Sequence, residues 1–236
     1  MAAGLYYVRN FRGVEYADPA FIQTFFWVLV VLASATAAYC LVFREEAAIP
    51  WERARHWGAY AIVMVPLVVL LAVALVTVPP GVTLIGLALV AIGEEVAFRQ
   101  VFFGALLKRS AAAGGDVIGA VVGSALAFSA LHAVNVLGGR TATQVASQML
   151  IIFLAGIVFA CLFLSMKSLV AVIAFHWIWD ALVSVPSDDA SYLTWAMPLC
   201  MLSQTVVGLV LLWRFRTCAA SAFLAQPRVG VGAVGR

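Results

Sequence analysis

From residue 22 onward the chain is a succession of apolar stretches, each close to the ~20 residues that an α-helix needs to cross the ~30 Å hydrocarbon core of a bilayer. They cover residues 22–43, 57–78, 83–107, 117–137, 144–166, 168–186 and 192–213, separated by charged residues or by short Gly/Pro turns such as the V-P-P-G of residues 78–81. A chain written this way has few options. In lipid every backbone N–H and C=O must find its partner within the protein, so the runs fold as helices, and the lack of polar alternation argues against a transmembrane barrel. The spacing therefore predicts an all-α, polytopic helical bundle of about seven spans embedded in the lipid bilayer. Composition agrees, with 65% hydrophobic and only 11% charged residues, against about 25% charged in ordinary soluble domains.

Residues 21–213 read as one membrane domain, flanked by an interfacial or flexible head, residues 1–20, and a short tail, residues 214–236. The head carries Tyr6, Tyr7 and Phe11 together with Arg9, Arg12, Glu15 and Asp18. Its charges, and the length of the apolar run that follows, argue against a cleavable signal peptide. A net charge of +3 is too small to suggest a nucleic-acid partner. The four cysteines, Cys40, Cys161, Cys200 and Cys218, are widely spaced and read as small hydrophobes rather than a disulfide framework.

Lys and Arg are unevenly distributed over alternate ends of the spans. One end holds Arg9, Arg12 and Arg140, together with the Asp188/Asp189 loop; the other holds Arg44, Arg53, Arg55, Lys108, Arg109, Lys167, Arg214, Arg216, Arg228 and Arg236. The richer end is expected to face the cytoplasm, which puts the C-terminus inside.

Against this background, ionisable groups within the spans stand out, because a central Asp, Lys or Arg costs about 2.5 to 3.5 kcal/mol on insertion scales and so marks a protein-facing cavity. The third stretch contains Glu94, Glu95 and Arg99 in A-I-G-E-E-V-A-F-R-Q. On a helix Glu95 and Arg99 share a face and can pair, while Glu94 points about 100° away and stays free. His132 ends F-S-A-L-H in the fourth stretch, four residues after Phe128 and three before Asn135, and His176 precedes Asp180 by four in H-W-I-W-D of the sixth. Two of the chain's three histidines thus lie in predicted spans. At 1.5 Å per residue, Glu94, His132 and His176 fall within about 9 Å of one another along the membrane normal, at or outside the midplane.

Amide hydrolysis needs an activated water, a polariser for the carbonyl and a proton for the leaving nitrogen, and Glu94, His132, His176 and Asp180 carry the groups for it. The same side chains also suit a divalent metal such as zinc, held by Glu94, His132 and His176 with water in the fourth position. The residues alone leave these two versions open. There is no H-E-x-x-H helix and no G-x-S-x-G elbow, and Ser129 reads as a packing residue. Trp177 and Trp179 read as packing or entrance residues, and His56 as an interfacial one. Small residues at Gly119, Gly123, Ala127 and Ala130 are expected to let the fourth span approach its neighbours.

Taken together, E-E-V-A-F-R at 94–99, F-S-A-L-H at 128–132 and H-W-I-W-D at 176–180 resemble the three motifs of the CAAX-protease and bacteriocin-processing (CPBP, or Abi) family of intramembrane proteases. The resemblance spans roughly residues 83–185. It implies a CAAX-prenyl-endopeptidase-like fold in a prokaryotic cytoplasmic membrane, acting on a membrane-associated or exported peptide or protein. It further implies that Glu94 activates water, that His132 helps hold it, and that His176, supported by Asp180, polarises the carbonyl. Glu95 and Arg99 would orient the site and Phe128 would pack beneath it. Apart from the resemblance, Asn135 reads by its spacing as a support for His132 or as the close of the fourth span before the Gly138/Gly139 turn. Family members have been described both as metalloproteases and as glutamate-type proteases. Asp180 departs from the Asn of the eukaryotic prenyl-protein members, and a cavity outside the midplane does not suit a cytoplasmic prenylated substrate. Two other functions compete: an ion-coupled transporter, and a non-catalytic immunity or assembly factor that keeps the fold.

Overall fold

The computed structural model describes residues 1–52, 55–77, 81–185 and 190–225. The turn prolines Pro79 and Pro80, Arg53, the Asp188/Asp189 loop, and Arg228 and Arg236 of the tail lie outside the described residues. Among those described, every regular element of more than a single bridge is helical. An amphipathic helix α1 (Ala2–Arg12) precedes α2 (Phe21–Val42), the one-turn α3 (Arg44–Ala47) and α4 (Gly58–Thr77). Next come α5 (Val82–Glu95), a π-helical stretch Val96–Phe103 and α6 (Gly104–Ala112), without interruption. Then α7 (Ile118–Leu131) runs into a 3₁₀ stretch His132–Gly138, followed by α8 (Ala142–Met166), α9 (Leu169–Val183), α10 (Leu193–Phe215) and a final 3₁₀ turn, Ala220–Phe223.

Among the described residues, five helices are long and apolar enough to cross a bilayer: Phe21–Val42, Gly58–Val76, Ile118–Gly138, Ala142–Met166 and Leu193–Phe215. This is a polytopic membrane bundle. The other two expected spans are also helical but take a different form. One is the α5–π–α6 run, which carries Glu94, Glu95 and Arg99; the other is α9, whose 15 residues make about 22 Å, short of the ~30 Å core. The outer faces of the bundle are apolar, with Trp27, Leu41, Val76, Leu150, Trp195 and Trp213 all exposed. Such a surface suits lipid and not water.

At the centre lies α8, most of whose second half is buried. Its start is fixed by a capping box, in which Thr141 Oγ1 accepts from the Gln144 N–H at 3.3 Å and Gln144 Oε1 accepts from the Thr141 N–H at 3.0 Å. Its end is fixed by Lys167, which adopts a left-handed φ of 52° and is held there by Glu52, 3.1 Å from Nζ. Against α8 pack α7 and α10, and α9 is gripped between α4 and α5. The closest backbone approach is between α7 and α8, where a side chain on Gly156 would lie 2.9 Å from Ala125 Cα. By contrast Gly119 faces open space, Gly123 meets only Leu106, and Ala130 is exposed. Of the small residues picked from the fourth stretch, Gly123 thus lies at a close contact with α6, while the approach of α7 to α8 is made by Ala125 and Gly156.

The connections gather at two ends. At one, Lys108 bonds the carbonyls of Glu46 and Ala48, the His56 N–H bonds Ser165 O at 2.8 Å, and the Val117 N–H bonds Cys218 O at 3.3 Å. Arg44, Arg55, Lys108, Arg109, Lys167, Arg214 and Arg216 lie in or beside these connections. At the other end α1 packs on the His132–Gly138 stretch, and the Tyr16 N–H bonds Gly138 O at 2.8 Å. There the basic residues are Arg9, Arg12 and Arg140. The unequal ends inferred from sequence are thus physically separate ends of one bundle.

Candidate active site

Glu94 and Glu95 occupy the last turn of α5, where the α-helix widens into the π-helical stretch that carries Arg99. Such π segments occur frequently at functional sites, because the extra residue per turn re-aims side chains. Glu95 and Arg99 are both fully buried, with Arg99 Nε 3.2 Å from Glu95 Oε2. This contact is an ion pair without hydrogen-bond geometry, and neither terminal guanidinium nitrogen has a hydrogen-bond partner. The cation instead lies against two aromatic rings set nearly at right angles, with Cζ 4.5 Å from the Phe128 centroid and 5.1 Å from that of Phe159. A desolvated guanidinium gains about 2 kcal/mol or more from such a ring face.

The other oxygen of Glu95 crosses to α9, accepting from His176 Nδ1 at 2.8 Å. That bond sets the ring so that Nε2 faces two further carboxylates, Asp180 Oδ2 at 3.3 Å and Glu94 Oε2 at 3.9 Å. His176 therefore sits within a carboxylate cluster drawn from α5 and α9. Glu95 reaches farther than its expected pairing with Arg99, since it also positions the imidazole.

His132 closes α7. Its Nδ1 lies 3.0 Å from Phe128 O, an acceptor only, so Nδ1 carries the proton and Nε2 is the acceptor of the neutral ring. Phe128 links the two histidines: His132 meets its ring edge-on at 5.3 Å and His176 at 6.3 Å. Asn135 is buried and donates to Gln148 Oε1 on α8 at 3.0 Å. Ser129 bonds Met149 O at 2.7 Å, and Trp177 Nε1 donates to Leu84 O at 2.9 Å. Both tie helices together.

Glu94 and Asp180 line a cavity of about 770 Å³. Its walls come from the start of α2, the end of α4, the first turns of α5 and the end of α9, and are largely apolar, with Phe25, Leu71, Leu84 and Leu87 among them. Tyr16, Asp18 and Arg140 also line it. The cavity is therefore built from helix ends on the Lys/Arg-poor side. Three contributors escaped the sequence: Phe159, hidden in a uniformly apolar run; Tyr16, in a head read as peripheral; and Arg140, read only as a loop charge. Burial, with Glu94 and Asp180 adding to it, pushes the Tyr16 hydroxyl up, and Gln148 lies beside it. It stays a neutral donor at physiological pH.

Among the described residues, no group of three or more His, Cys, Asp or Glu side chains is arranged to hold a metal ion. Glu94, His132 and His176 are not gathered into such a group.

A helical membrane protein with buried carboxylates and imidazoles beside a cavity narrows the class considerably. Residues 77–182 match the protein family described as type II CAAX prenyl endopeptidase Rce1-like. The match is less than half of the chain, but it takes in the stretches 94–99, 128–132 and 176–180 and hence every residue of the cluster. No curated protein and no solved structure matches the chain.

Proposed function

We propose that the protein is an intramembrane endopeptidase, a prokaryotic-type CPBP member that hydrolyses a peptide bond with water activated by Glu94. The observation that carries this reading is the placement of His176 Nε2 between Asp180 at 3.3 Å and Glu94 at 3.9 Å, with both carboxylates on the cavity wall. Glu94 takes a proton from water as the water oxygen bonds to the substrate carbonyl carbon, and His132 Nε2 accepts from the water's second O–H. His176, oriented by Glu95 and Asp180, donates from Nε2 to the developing oxyanion. Glu94 then returns its proton to the leaving nitrogen as the C–N bond breaks. In this reading α5–α6 and α9 also lie within the membrane, giving seven spans around the site, and the Lys/Arg-rich end and the C-terminus face the cytoplasm. The substrate is then a membrane-associated or exported peptide or protein that reaches the cavity from the opposite side.

The test uses the purified full chain in nanodiscs, mixed with membranes from cells that lack it, with new N-termini read by mass spectrometry. The unmodified protein is expected to generate termini that fall about 100-fold or more with Glu94→Gln or His176→Ala. The unfolding temperature of Glu94→Gln should stay close to that of the parent. Undiminished cleavage by Glu94→Gln would remove the assigned base and with it this mechanism.

A further inference from the structure

Among the described residues that line the cavity, Arg140 has the one cationic side chain. Arg140 precedes the capped start of α8 and lines the same cavity as Glu94 and Asp180, with its guanidinium 5.0 Å from the Tyr16 ring centroid. Among the described residues it forms no ion pair, although Asp18, Glu94 and Asp180 all line the cavity, and its buried Nε has no hydrogen-bond partner. Its position is nonetheless fixed. The Arg140 N–H bonds Asn135 O at 3.3 Å, and the preceding Gly139 adopts a φ of 102°, a conformation that glycine supplies without strain. The Tyr16 backbone is tied to Gly138 at 2.8 Å, so ring and guanidinium are held by one connection.

A cation stacked on a phenol, with donors left over, is suited to an anion that arrives with a ligand. The remaining walls are largely apolar, and the carboxylates of Glu94 and Asp180 line the same cavity. A ligand that satisfies all three parts is an apolar peptide segment bearing one carboxylate, with that carboxylate at Arg140 and a peptide bond beside Glu94. Resting on the peptidase reading above, we propose that Arg140, braced by Tyr16, is the specificity-determining anchor for a substrate carboxylate. The carboxylate is either an acidic side chain or the peptide's own terminus.

Binding separates this proposal from catalysis. Three fluorescent probes share one Leu/Val/Ala sequence: a C-terminal acid, a C-terminal amide, and an amide with one internal Glu. They are titrated by anisotropy against the full-length Glu94→Gln protein in phosphatidylcholine nanodiscs, with and without Arg140→Gln. One or both carboxylate probes should bind about tenfold or more tighter than the plain amide, and Arg140→Gln should abolish that difference while Arg140→Lys keeps part of it. The two carboxylate probes distinguish terminus from side chain. Equal binding of all three probes, no binding of any, or an Arg140→Gln effect that is the same for the plain amide each overturns the anchor; the last assigns Arg140 to structure. Arg140-dependent binding without cleavage by the unmodified chain would leave the anchor standing and remove the peptidase. Cleavage that is indifferent to the carboxylate and to Arg140 would do the reverse.

Discussion

Glu94 and Glu95 are adjacent and chemically identical, yet their surroundings give them different work. Glu95 has no exposed surface and is shared between Arg99 and His176, whereas Glu94 reaches the cavity wall and contacts His176 only at 3.9 Å. Neutralising Glu95 strands a buried guanidinium that has no hydrogen-bond partner for Nη1 or Nη2, and breaking such a pair costs about 3 to 5 kcal/mol. Glu95→Gln is therefore expected to lower the thermal unfolding midpoint markedly, while Glu94→Gln leaves it nearly unchanged; scanning fluorimetry in detergent distinguishes the two. Equal midpoints would mean that the buried pair contributes little. The pairing of Glu95 with Arg99 is legible in sequence because it needs only a four-residue helical spacing. The bond from Glu95 to His176 joins residues 81 positions apart, and no local pattern encodes it.

Helices position the site by how closely their backbones approach. His132 sits at the end of α7, and α7 is held on α8 where Gly156 faces Ala125. Gly156→Val would place its Cβ 2.9 Å from the Ala125 backbone, so the helices must separate and His132 must move with α7. Overpacking of this kind costs about 1 to 3 kcal/mol, and hydrolysis should fall together with stability. Gly119→Ala, on α7, meets nothing within 4 Å and should be neutral or stabilising by up to about 1 kcal/mol through helix propensity. Parallel unfolding and cleavage assays on the two variants check both statements. The π-helical stretch Val96–Phe103 shows the limit of reading an element from sequence: the apolar pattern of residues 83–107 announces a helix, but its change of pitch depends on how Arg99 is received by α7, α8 and the aromatic rings between them.

For the molecule as a whole, the separation of Lys and Arg between its two ends makes a definite prediction of which end faces which compartment. In a chain whose own cysteines are replaced, a cysteine at Asn10 should react with an impermeant maleimide on intact cells, and one at Arg109 only after permeabilisation. The opposite pattern would invert the bundle and open the cavity toward the cytoplasm. Sequence alone determined that this is a helical membrane protein, where its apolar stretches lie, and which ionisable residues stand out within them, because hydrophobicity and helical spacing are local properties in a solvent that penalises every exception. Its motif resemblance is matched by the family similarity over residues 77–182. Tertiary structure decided the rest: that five helices among the described residues have the full length and hydropathy of a span while α9 is short, that Asn135 bonds Gln148, and that Tyr16 and Arg140 join Glu94 and Asp180 on one cavity. Those outcomes depend on which helix ends meet, and helix packing in lipid is set by close backbone approach and shared polar contacts between distant residues, not by the hydrophobicity that makes each span recognisable.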